Sequence, residues 1–117
     1  MQTVDFSILE QFCELLGENG KDEARELVNL YLQDAPEQIK IMQDSLAANE
    51  AEIFKRAAHT FKSSSANVGA FGVQALCQTM ENEATTDNPD TLKTALAEVI
   101  TQFQQVKDEL QNWADTK

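Results

Sequence analysis

The sequence predicts an all-α protein: an up-down-up-down antiparallel four-helix bundle with a short additional N-terminal helix covering one end. Three observations lead there. Glycine and proline are scarce, four and two in 117 residues, so little interrupts a helix. Apolar residues recur at steps of three and four along the chain, and no segment alternates apolar and polar residues for long enough to suggest a strand. Four substantial helical stretches are joined by short turns, which sets neighbouring helices antiparallel. The length suits one domain spanning residues 1–117, able to bury roughly two-thirds of its unfolded surface in one core.

The first helix runs from about Asp5 to Leu16, with Ile8, Leu9, Phe12, Leu15 and Leu16 on its buried side. Gly17 provides a left-handed stop, and Asn19-Gly20 reads as a turn dipeptide. The second helix carries Ala24, Leu27, Val28, Tyr31, Ala35, Ile39, Met42 and Leu46 at helical spacing. Its stripe continues in phase through Pro36, which predicts a kink there or a restart capped by Asp34 with Glu37 three residues on.

Asn49 and Glu52 have the spacing of a capping box and are expected to open the third helix, which should end near Gly69. At about 100° per residue, Ile53, Ala57, Phe61, Ser64, Ser65 and Val68 form its buried side. The fourth helix, about Phe71 to Ala84, buries Val73, Leu76, Cys77 and Met80. A loop follows over residues 85–90, where Asn88 and Pro89 form a cap and first-turn pair for the last helix. That helix carries Leu92, Leu96, Val99, Phe103, Val106, Leu110 and Trp113 at alternating steps of four and three, the seam that near-antiparallel packing needs.

Charge narrows the function. Twenty acidic and nine basic residues give a formal charge of −11, which repels nucleic acid and anionic membranes, so neither is expected as a partner. The start lacks the basic residues and apolar run of a signal peptide, and no stretch approaches the roughly 20 apolar residues that span a bilayer, so a cytoplasmic location is expected. Met1 and the well-closed helices favour a complete, free-standing protein, and consumption of the apolar stripes by the bundle favours a monomer. Cys13 and Cys77 lie far apart at apolar positions and read as core residues. No P-loop, glycine-rich nucleotide loop or carboxylate cluster at metal-site spacing is present in the sequence, so no cofactor and no metal are expected. A di-metal carboxylate bundle needs Glu-x-x-His pairs on two helices, which one histidine cannot supply.

That single histidine, His59, lies roughly opposite the buried side of the third helix, flanked by Lys55, Lys62, Ser63 and Ala66. Its ring is expected to face solvent. Lys55, Arg56 and Lys62 are three of only nine basic residues, and residues 53–80 include no Asp or Glu. Neutral imidazole is plentiful at physiological pH and nucleophilic through a ring nitrogen. Lys62, one turn on, is placed to neutralise an anion attached to that ring, and the small residues Ser63 and Ala66 leave space for another protein. The pattern suggests a phosphate acceptor, with an ordinary surface histidine as the competing reading.

The stretch AHTFKSSSANVGA, residues 58–70, resembles the signature of histidine-containing phosphotransfer domains, His-x-Leu-Lys-Gly-Ser/Ala-Ser/Ala-x-x-hydrophobic-Gly. LCQTMENEA, residues 76–84, resembles the Leu-Cys-x-x-Leu-Glu continuation of that family. His59, Lys62, Ser64, Ser65, Val68 and Gly69 fall in register, while Phe61 replaces the usual leucine and Ser63 the usual glycine. The resemblance implies that His59 is phosphorylated and that Lys62 steadies the phosphoryl group. Glu81 falls where related domains often have a Gln or Glu that hydrogen-bonds the imidazole, though a plain surface glutamate fits the position nearly as well. Lys55, Arg56, Ala66 and Gly69 complete the implied partner surface, and Ser63 either donates to the phosphoryl group or narrows the approach.

By the same resemblance the chain is a phosphocarrier of a two-component phosphorelay without kinase activity of its own. Its partners are receiver domains of response regulators or of a hybrid sensor histidine kinase, and Mg²⁺ belongs to the receiver. Two alternatives stand beside it. One is a bundle that binds a receiver or kinase as an adaptor without passing phosphate. The other is the phosphoacceptor part of a histidine kinase, disfavoured because Thr60 stands where that family usually has an acidic residue after the histidine.

Overall fold

Helical periodicity becomes helix almost throughout the residues the structure describes, 3–84 and 89–116 of a computed structural model. The elements are α1 (Ser7–Leu16), a 3₁₀ turn (Gly17–Asn19), α2 (Gly20–Ala47), α3 (Ala51–Asn67), α4 (Phe71–Glu83) and α5 (Pro89–Thr116). Each of the four longer helices packs on the next, α5 closes back on α2, and α1 lies against α2. This is the up-down-up-down four-helix bundle. Among the described residues no helix is long and apolar enough to cross a membrane.

The α5 stripe is buried at every predicted position from Leu92 to Trp113. It meets Val28, Tyr31, Ala35 and Met42 of α2, Phe54, Ala57, Ala58 and Phe61 of α3, and Val73, Cys77 and Met80 of α4 in one core. Both cysteines are free; Cys77 is buried and Cys13 half-buried. Burial pushes the Cys77 thiol up to about 12, which keeps it a neutral core residue.

Three aromatic rings tie α2, α3 and α5 together. Tyr31 and Phe61 stack at 5.8 Å, and both meet Phe103 edge-on, at 6.1 and 6.0 Å. The Tyr31 hydroxyl shares a 2.9 Å hydrogen bond with the buried Ser65 hydroxyl. Tyr31→Phe strands the Ser65 hydroxyl and is expected to cost about 1–3 kcal/mol, most of it recovered when Ser65→Ala removes the stranded group. Urea denaturation of both single variants and the double variant measures this, and strictly additive losses contradict it.

Several local expectations change. Leu15 and Leu16 are not buried but 85% and 45% exposed. The stripe that α1 presents to the core is Leu9 with half-buried Phe12 and Cys13; Leu15 lies roughly 110° from its centre, and Leu16 ends the helix. The helix begins at Ser7 because Asp5 stays outside it, accepting hydrogen bonds from the Ser7 amide (3.0 Å) and hydroxyl (2.6 Å). Those two bonds, the hydroxyl's first, hold the Asp5 carboxyl below its usual range.

Gly17 does take positive φ, +67°, but Asn19-Gly20 is not a turn. Gly20 is the first residue of α2, and a Cβ there would collide with the Cys13 carbonyl, so this glycine permits the close approach of α1 and α2. Through Pro36 the second helix continues without a restart. The proline is exposed while Tyr31, Ala35 and Met42 on the other side remain packed in the core, and Asp34 accepts from Gln38 instead of capping.

The capping box at Asn49 does not form. Asn49 has φ +58°, and the bonds from Glu50 N to Ser45 O (2.9 Å) and from Asn49 N to Leu46 O (3.3 Å) make it the left-handed closing residue of α2. Helix α3 therefore starts at Ala51 without a side-chain cap. Its other end repeats the motif as expected: Gly69 has φ +84°, with bonds from Ala70 N to Ser65 O (2.8 Å) and from Gly69 N to Ala66 O (3.1 Å). The buried face of α3 is rotated from the predicted one, since Phe54 and Ala58 are buried, Ile53 is 43% exposed and Ser64 is half-buried. Ile53 and Ser64 lie roughly 90–110° from the line of Phe54, Ala58, Phe61 and Ser65, which points between α2 and α4. The fourth helix buries Val73, Cys77 and Met80, with Leu76 half-buried. Asn88 and the loop before it lie outside the described residues; Pro89 opens α5.

Candidate functional site

On α3, His59 sits roughly 130° from the centre of the buried line, and its side chain is 59% exposed. The antiparallel neighbour α4 brings Glu81 beside it, with Oε2 2.9 Å from the imidazole Nδ1. The other carboxylate oxygen accepts from Lys62, one turn beyond His59, at 2.6 Å. One glutamate thus bridges the histidine and the lysine. Lys62 Nζ also donates to Gln78 Oε1 at 3.1 Å, and Gln78 Nε2 donates to Asn82 Oδ1 at 2.9 Å.

An ionised carboxylate only accepts hydrogen bonds, so Nδ1 carries the proton in the bond to Glu81. In a neutral ring the lone pair is then on Nε2. The Glu81 carboxyl is held below its ordinary value of 4.5, first by the hydrogen bond from Lys62, against burial, then by the hydrogen bond from His59 and the two nearby charges. A carboxyl depressed in the fold contributes stability that is present above the unfolded value and lost as pH falls through the folded one. Wild type is therefore expected to lose stability below about pH 4.5, and Glu81→Gln to lose less over the same range, by urea denaturation at a series of acid pH values. Parallel acid profiles contradict this.

The structure brings together His59, Lys62 and Glu81, with Ser63 exposed one turn past the histidine and Lys55 half-buried one turn before it. The Ser63 hydroxyl takes no part in the Glu81 network. Arg56 is on the other flank, lining a groove between α2 and α3 with Gln38, Ile41, Ile53 and Thr60. Ala66 is half-buried. Gly69 is buried at the far end of α3, where its carbonyl accepts from Asp5 N at 2.9 Å and a Cβ would meet the Asp5 backbone, so its visible role is packing.

Gln78 and Asn82 were not among the residues the sequence singled out. Gln78 lies three residues before Glu81 and four before Asn82, which makes each of them its neighbour on the surface of α4. The register between α3 and α4, which decides that this face meets Lys62, is not written in either helix's own periodicity.

The site is thus an outward imidazole on an antiparallel helical bundle, its Nδ1 held by a carboxylate that also binds a lysine one turn away. The Hpt domain model matches residues 26–115, most of the chain, and the protein belongs to the Hpt domain family. Its fold is similar to the crystal structure of histidine-containing phosphotransfer protein B (HptB) from Pseudomonas aeruginosa PAO1, with a TM-score of 0.89 and 21% sequence identity. That likeness covers 98% of this chain and 96% of HptB, and at such identity it is a likeness of fold. No curated protein matches in sequence.

Proposed function

We propose that this protein carries a phosphoryl group reversibly on His59 between the aspartates of receiver domains in a two-component phosphorelay. The observation that supports it best is the exposed His59 ring with Nδ1 tied to Glu81, which leaves Nε2 as the nucleophile. The Nε2 lone pair forms the N–P bond as the P–O bond to the receiver's aspartate breaks, and the bonding electrons leave with that carboxylate. The ring, still protonated at Nδ1, gains positive charge that the Glu81 carboxylate offsets in place. The reverse reaction returns the phosphoryl group to a second aspartate and the lone pair to Nε2.

Lys62 supplies positive charge beside the phosphoryl oxygens, and Ser63 borders their approach. The chain contributes orientation and charge, on which phosphoryl transfer chiefly depends, while Mg²⁺ and the aspartate come with the receiver. Arg56 and Lys55 add local positive charge that suits an acidic receiver face.

The test is incubation with receiver domains charged with labelled phosphate. Acid-labile label passing to this protein is expected; no label from any receiver of the source organism overturns the reading in favour of the adaptor.

A further inference from the structure

Lys62 is usefully placed only if its long side chain is held, because a lysine loses on the order of 1.5–2 kcal/mol of rotamer freedom when fixed. An ammonium has three N–H donors. Two of them are taken from the α4 side, by Glu81 Oε1 at 2.6 Å and Gln78 Oε1 at 3.1 Å, so the third is directed away from α4. Glu81 is shared with His59, whereas the Gln78 amide oxygen faces Lys62.

The direction of the Gln78 amide is itself determined. The ammonium can only donate, so Gln78 must turn its oxygen to Lys62 and its NH₂ to Asn82, and Asn82 must answer with its oxygen, 2.9 Å away. The resulting chain, Lys62 to Gln78 to Asn82, runs one way. It holds the lysine with a neutral acceptor, which adds no negative charge next to an incoming phosphoryl group.

Resting on the carrier reading above, we propose that Gln78, its amide oriented by Asn82, is a positioning residue for Lys62 during phosphoryl transfer. A second carboxylate at position 78 would grip the lysine harder but repel the phosphoryl oxygens. The neutral amide avoids that conflict and leaves Glu81 to serve the ring.

The experiment measures the maximal transfer rate from a labelled phosphoreceiver, and the receiver concentration giving half that rate, for the full chain and its variants. Gln78→Ala is expected to slow the maximal rate about 3- to 10-fold, the loss of roughly one ordinary solvent-exposed hydrogen bond, with the half-saturating concentration and urea stability unchanged. Asn82→Ala is expected to give a smaller loss of the same kind. In a Lys62→Ala background, Gln78→Ala should have no further effect. A wild-type rate for Gln78→Ala overturns the proposal, as does a loss that persists undiminished without Lys62 or appears only in the half-saturating concentration. A wild type that takes no label overturns the carrier reading and this inference with it, a result distinct from any of these.

Discussion

His59→Gln is expected to reduce phosphoryl acceptance to background while leaving the fold intact. The ring is 59% exposed and lies opposite the packed line of α3, so its loss removes little buried surface, and a surface substitution of this kind usually changes stability by no more than about 0.5 kcal/mol. Glutamine retains an N–H group for Glu81 and so avoids stranding that carboxylate. What it lacks is a nucleophilic nitrogen, and nothing nearby replaces one: Lys62 is engaged as a charged ammonium by Glu81 and Gln78. The measurement is label transfer from a phosphoreceiver, with circular dichroism and receiver binding as controls. Retained label on a folded variant contradicts the assignment of His59, whereas signalling that survives without label supports the adaptor.

The largest effect on stability is expected from Phe61→Ala. Phe61 is fully buried, stacks on Tyr31 at 5.8 Å and meets Phe103 at 6.0 Å, so its removal opens a cavity where α2, α3 and α5 meet. A loss of about 3–5 kcal/mol is expected, out of the roughly 5–15 kcal/mol available to a domain. Phe61→Leu, which restores the residue usual in the family signature, fills part of the space and should cost less. Urea denaturation gives both values; a loss below about 1 kcal/mol for alanine contradicts a tightly packed aromatic cluster. Because Phe61 lies on α3 between His59 and Lys62, the alanine variant should also loosen the site, seen as slower transfer in conditions where it remains folded.

The α5 seam was legible because a long helix packed along one face repeats the same demand at every turn, and each of its seven predicted core residues is buried. The outward direction of His59 was legible for the same reason: it depends only on the periodicity of α3. Local rules failed where tertiary contacts decide. Asn49 has the spacing of a cap, yet the chain needs a left-handed residue there to close α2, and asparagine tolerates that conformation. Gly20 looks like half of a turn, yet its role is to let the Cys13 carbonyl approach. Ile53 fits an apolar stripe, yet neighbours on both sides of α3 bring Phe54 and Ala58 to the core instead.

The site divides similarly. Residue types and spacing singled out His59 and Lys62, and the family resemblance singled out Glu81, but the bridging of both by one carboxylate depends on how α3 and α4 pair. Gln78 and Asn82 are ordinary polar residues until that pairing sets them against Lys62.

The central claim is that Nε2 of His59 receives the phosphoryl group. It is tested most directly by phosphorylating the intact protein from a receiver and locating the modification by ³¹P and ¹H–¹⁵N NMR of the imidazole. A phosphoryl group on Nε2, with Nδ1 still protonated and bonded to Glu81, is the predicted result. Phosphate on Nδ1, on a serine such as Ser63, or nowhere on the chain would contradict it.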